Sequence, residues 1–167
     1  MTVRRVRAGE WARWRDVRLR ALRESPEAFG STYEQEAALP AERWRERTAA
    51  GAAGEERALF VAEVGGDWVG CAGCFVESPG APPAVISMWV APEARRRGAG
   101  RMLLDAVRGW AAEGGATSVR LHVVSTQQPA RSLYESCGFT YTGRSEPGRR
   151  DSSQLLLEME VEVSRIP

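Results

Sequence analysis

The chain has 167 residues, 43% apolar and 27% charged, with a formal net charge of +1. That composition fits one folded domain, residues 1–167, around one core; it excludes long disorder, a membrane-spanning segment and the basic footprint of a nucleic-acid binder. All 23 basic residues are arginine, so no lysine amine is present for Schiff-base chemistry or for modification. The first residues, Met1-Thr2-Val3-Arg4-Arg5, lack an apolar leader, and the expected setting is the cytoplasm with three reduced thiols.

In chain order, Val3 to Val6 reads as a short strand. Glu10 to Glu24 reads as a helix, because Trp11, Trp14, Val17, Ala21 and Leu22 recur at three-to-four spacing. Ser25-Pro26 interrupts it, and a loop carrying Phe29 and Tyr33 follows. Pro40 opens a second helix through about Thr48, with Trp44 inward and Gly51 and Gly54 ending it. Ala58 to Val64 and Trp68 to Val76 form a hairpin about Gly65-Gly66-Asp67, and Ala84 to Val90 is a fourth strand. A helix from about Gly98 to Ala112, a strand from Thr117 to Val124 and a helix from Gln127 to Cys137 come next. Phe139 to Gly143 is a short strand and Ser145 to Ser153 a polar loop. Gln154 to Val163 is the clearest strand, with Leu155, Leu157, Met159, Val161 and Val163 alternating with a wet face of Glu158, Glu160 and Glu162. Hairpins and helical crossovers in one chain predict a mixed sheet of about seven strands with four helices, an α/β (α+β) fold.

Cys71-Ala72-Gly73-Cys74 has metal-ligand spacing, but it falls within a strand, where positions three apart point to opposite faces. With one histidine in the chain and no second cysteine pair, no metal is expected.

The chemistry concentrates in Val90-Ala91-Pro92-Glu93-Ala94-Arg95-Arg96-Arg97-Gly98-Ala99-Gly100, which joins a strand to a helix. A helix start presents N–H groups without partners and the positive end of the helix dipole, both of which attract phosphate oxygens. Glycine lets an anion approach the backbone, and arginine adds charge and forked donors. Taken alone, the stretch reads equally well as a solvated arginine turn.

The block downstream decides between the two. It runs Leu121-His122-Val123-Val124, then Gln127, then Ala130-Arg131-Ser132-Leu133-Tyr134, then Gly138-Phe139. Together with Arg95-x-x-Gly98-x-Gly100 it resembles the GCN5-related N-acetyltransferase (GNAT) superfamily, over most of the chain and least over residues 10–56 and 144–154. The resemblance implies the GNAT fold, with the sheet splayed between its fourth and fifth strands. It implies an acetyltransferase that takes acetyl-CoA as co-substrate and uses no metal. The pyrophosphate is expected over the N–H groups of Arg97, Gly98, Ala99, Gly100 and Arg101, within reach of the side chains of Arg95, Arg96 and Arg101. The pantetheine arm is expected along Met88, Trp89 and Val90, pairing with the strand edge. Gln127 stands where the family commonly has an asparagine that contacts this arm.

Tyr134 is the expected general acid, since a phenol near pKa 10 is close enough to a thiol near 8.5 to protonate a departing thiolate. It would serve equally as a packing residue. His122 lies at a position where some family members, including certain protein N-terminal acetyltransferases, place a general base. Held by a backbone carbonyl it would be structural. Glu63, Glu77 or a chain of waters are alternative bases. A base matters most for a lysine-like amine, which costs about 4.6 kcal/mol to deprotonate at pH 7 against about 1 kcal/mol for an α-amine. The acceptor, a small-molecule primary amine or else a peptide N-terminus, is expected among Phe29, Tyr33, Trp44, Arg149, Arg150 and Asp151. A non-catalytic acyl-CoA-binding module is the rival reading; it would keep the phosphate loop and lose Tyr134 and His122. A monomer or homodimer is expected, with neither nucleic acid nor membrane as partner.

Overall fold

In the computed structural model, which describes residues 1–164, the elements are β1 (Thr2–Arg5), α1 (Trp11–Glu24), α2 (Tyr33–Ala37), α3 (Ala41–Ala53), β2 (Arg57–Val64), β3 (Asp67–Phe75), β4 (Ala84–Val90), α4 (Ala99–Glu113), β5 (Ser118–Val124), α5 (Gln128–Ser136), β6 (Thr140–Pro147) and β7 (Leu155–Glu162). The seven strands form one sheet in the order β1-β2-β3-β4-β5-β7-β6. Each pairing is antiparallel except β4–β5. The four long helices fall where the periodicity puts them. The one-turn α2 is additional, fixed by a capping box in which Thr32 accepts from the Gln35 N–H and the Gln35 side chain returns to Thr32.

The ends of α3 and β6 differ from the sequence reading. Gly51 lies inside α3, and the left-handed Gly54, φ 72°, ends it. Gly51 is required by packing: a Cβ there would stand 2.3 Å from Leu59 Cγ, so the glycine lets α3 rest on β2. β6 runs on to Pro147 because its polar residues pair with the edge of β7, leaving a shorter loop at 148–154.

Strand parity sorts the layers. Leu59, Cys71, Gly73 and Trp89 face α1 and α3; Ala62, Gly70 and Met88 face α4, whose Leu103 would meet a Cβ on Gly70 at 3.3 Å. Cys71 and Cys74 therefore point to opposite sides of β3, and burial pushes both thiols up to about 12. At the β1 edge, Arg4 grips Glu10 through two bonds of 2.8 and 2.9 Å and Glu63 through two of 3.0 and 3.1 Å.

Gly51→Val should lower stability by about 2 kcal/mol in denaturant unfolding, with Leu59→Ala restoring part of it. The Arg4 hydrogen bonds hold the Glu10 carboxyl at about 2, below its ordinary 4.5. That contribution is complete above pH 4.5 and is lost as pH falls towards 2; Arg4→Met should flatten this part of the stability–pH curve in thermal melts.

Candidate active site in the cleft between β4 and β5

β4 and β5 share a single register pair, Ala84 with Arg120, backed by the Arg120 N–H donating to Pro83 O at 2.9 Å. Beyond that rung the two strands part. A bulge drives the separation: three residue steps on β4, Ile86 to Trp89, match two on β3, Cys71 to Gly73, and Ser87 takes φ 56°. The Cys71 thiol donates to the freed Ser87 carbonyl at 3.2 Å. The cleft widens towards the ends where α4 and α5 begin.

At the α4 start, Gly98 is left-handed at φ 87° and Arg96 at φ 57°, a backbone alternation that turns successive N–H groups inward. A Cβ on Gly98 would meet nothing within 4 Å, so the space above it is open. Gly100 has another duty: a Cβ there would stand 2.7 Å from Leu133 Cδ2 and 3.5 Å from Met88 Cε. It is small so that α4, α5 and β4 can meet. Ala99 beside it is buried.

The arginines divide. Arg95 donates from Nε to Val90 O at 2.9 Å and from Nη2 to Glu24 at 2.8 Å, and Arg101 donates to Ser136 O at 2.8 Å. Arg96 and Arg97 are exposed and have no ion-pair partner among the described residues. Arg97 borders a cavity of about 450 Å³ shared with Arg20, Glu93 and Trp68. A second cavity, of about 500 Å³, opens at the other end of the strands, against Pro83, Trp110 and Thr117, away from the cleft. Glu24, which the sequence did not single out, is a node: it also accepts from Trp89 Nε1 at 2.9 Å and from the Ser25 hydroxyl, joining α1 to β4 and the turn. These donors hold its carboxyl below the ordinary range against the opposing effect of burial.

Gln127 caps α5, half-buried, with its side chain free of any capping bond. Tyr134 is 7% exposed and meets Phe139 edge-on, ring centroids 6.0 Å apart. Burial pushes its phenol up to about 12, so it stays protonated across the physiological range and stands further from a thiol than an ordinary phenol does. His122 projects from the other side of β5, the side covered by α1, beside Arg120. Its Nε2 lies 3.8 Å from Glu158 Oε2.

The alternative carboxylates stand elsewhere. Glu63 is held by Arg4 and by Trp68 Nε1 at 2.7 Å, and Glu77 is exposed in the loop leading into the closed end of β4. Of the acceptor candidates, Trp44 is 1% exposed and sealed in the core. Phe29 stacks under Arg18, which is paired with Glu36 at 2.8 Å, and Tyr33 accepts from Arg23 at 2.6 Å. Arg150 donates to Pro26 O at 2.7 Å, and Arg149 lies over Gly30, so the 148–154 loop rests on the α1–α2 connection. Asp151 caps Ser153.

A model of the acetyltransferase (GNAT) family matches residues 14–139, and the chain belongs to that family. Among solved structures it is similar to a GNAT-family acetyltransferase from Streptococcus pneumoniae (TM-score 0.84, 15% identity, 98% of this chain and 99% of that one). It is similar to an acetyltransferase from Salmonella typhimurium solved with its cofactor acetyl-CoA (TM-score 0.79, 20% identity, 100% and 96% covered). It is also similar to spermidine N-acetyltransferase from Vibrio cholerae, in complex with CoA and spermine (TM-score 0.76, 17% identity, 98% and 96% covered). At these identities the likeness is one of fold. No curated protein matches the sequence. Among the described residues no helix is long and apolar enough to cross a membrane.

Glu24→Ala should lower stability by about 2 kcal/mol in thermal unfolding, because it leaves the buried Trp89 Nε1–H and the Arg95 Nη2 without their acceptor.

Proposed function

We propose that the protein transfers an acetyl group from acetyl-CoA to a primary amine of a small molecule, directly, in a ternary complex. The observation that carries this reading is the cleft held by one rung, with a phosphate-type helix start at its open end and His122 on the α1 face of β5 beside it. The residues fit the thioester substrate. The N–H groups of residues 97–101 and the free side chains of Arg96 and Arg97 suit the pyrophosphate. Arg95 and Arg101 act by bracing the turn. The edge of Met88–Val90 that β5 leaves uncovered, and the Gln127 amide, suit the pantetheine arm.

The amine reaches the cleft from the α1 side, where His122 receives its proton; the amine nitrogen attacks the thioester carbon and the C–S bond breaks. On the α4 side Tyr134 faces the departing sulfur. Full proton transfer from a phenol near 12 to a thiolate near 8.5 is uphill by about 5 kcal/mol. The phenol therefore contributes a hydrogen bond that grows as charge develops on sulfur, and the proton released by the amine closes the balance. An acyl-enzyme is not required: Cys71, Cys74 and Cys137 are all buried.

Tyr134→Phe should lower kcat by about 100-fold while coenzyme A still binds in calorimetry. Gly98→Ala should weaken that binding by about tenfold through backbone strain in the turn. The acceptor class is read from a panel of amines, including peptide N-termini, by thiol release. Binding without turnover of any amine would leave the non-catalytic module in its place.

A further inference from the structure

On sequence alternation Glu158 belongs to the wet face of the last strand, yet it is only 8% exposed. It stands directly opposite His122 in the antiparallel β5–β7 register, on the same face of the sheet. Its Oε2 lies 3.8 Å from His122 Nε2 and 3.8 Å from Arg120 Nη1. These separations are too long for hydrogen bonds and suit charge pairing with an imidazolium.

The neighbouring strand is deformed at this point. Between Tyr141 and Ser145, β6 takes four steps where β7 takes two, Met159 to Leu157, and Gly143 adopts φ 88°. The extra residues sit opposite Glu158. They aim the Thr142 hydroxyl at Glu158 Oε1, to which it donates at 3.0 Å, while the Thr142 Oγ1 itself accepts from the Arg144 N–H at 3.2 Å. A carboxylate buried this far costs free energy unless its surroundings answer it, and a bulge that supplies one hydroxyl donor is such an answer.

We propose that Glu158 acts through His122: held by Thr142 from the β6 bulge, its carboxylate stands against the imidazole at the cleft and favours the protonated form once the amine has given up a proton. The proposal rests on the reading of His122 as the base. The charged groups on the imidazole's face of these strands are Arg120 on β5 and Glu158 and Glu160 on β7; on the same side of the sheet the Arg18 of α1 is closed on Glu36. Across the cleft β4 offers Ala84 and Ile86, both apolar. Arg120 Nη1 and His122 Nε2 both lie 3.8 Å from Glu158 Oε2, so Arg120 shares the carboxylate with the imidazole and tempers its effect.

His122 is the one histidine in the chain, so its imidazole C2 proton gives a single resonance whose titration needs no assignment. Glu158→Gln should move the titration midpoint to lower pH, Thr142→Val should move it less, and Thr142→Ser should leave it at the native value. The acid limb of kcat/KM should move to lower pH by the same amount, with KM for acetyl-CoA unchanged. An unmoved midpoint in folded Glu158→Gln and Thr142→Val proteins overturns the pairing. A midpoint that moves while the acid limb stays overturns the role in catalysis. The titration needs no turnover, so a failed pairing is told apart from a failure of acetyl transfer itself.

Discussion

Parallel strands β4 and β5 meet at one rung and then separate, and most of the site's geometry follows from that broken ladder. A sheet this wide gains by closing every pair, so something must hold the two strands apart. The Ser87–Met88 bulge does so on one side, turning the β4 backbone out of register with β5 while leaving its bonds to β3. Glu24 does so from above, fixing Trp89 and, through Arg95, the carbonyl of Val90. On the far side β5 is secured by the seven register pairs it makes with β7. The cleft is thus a property of the strands themselves and of what braces them.

Arginine does the work that lysine shares in most chains. Its guanidinium lies flat on rings, as Arg13 does on Trp68 at 4.4 Å and Arg18 on Phe29 at 4.6 Å, and binds carboxylates with two bonds at once, as Arg4 and Arg18 do. Most of these contacts brace helices against the sheet edge and the α1–α2 connection. The three consecutive arginines of the α4 turn illustrate the division of labour. One is structural and two remain available, a distinction set by where Glu24 lies in space.

Much of this was legible in the sequence because periodicity and turn residues act locally. Seven strands, four long helices and the phosphate-type turn follow from apolar spacing, glycines and prolines, and the Tyr134 and His122 positions follow from the family block. What was hidden depends on contacts far apart in the chain. Gly51 looked like a helix stop, and only the approach of Leu59 reveals it as a helix-packing residue. Gly100 looked ligand-facing, and Leu133 shows it is needed for helix packing. Glu158 looked solvated, since alternation cannot foresee a bulge on the neighbouring strand. Glu24 carried no signal at all, because its partners lie 65 and 71 residues away.

The sealed thiols carry a consequence for the molecule's endurance. A catalyst that harbours an activated acyl ester is exposed to self-inflicted damage, because any accessible nucleophile of its own competes with the intended acceptor. Cys71 and Cys74 show no exposed surface and Cys137 only 4%, and the first two hold their protons to about 12. With sulfur so guarded and side-chain amines absent, the scaffold is poorly equipped to inactivate itself over many turnovers.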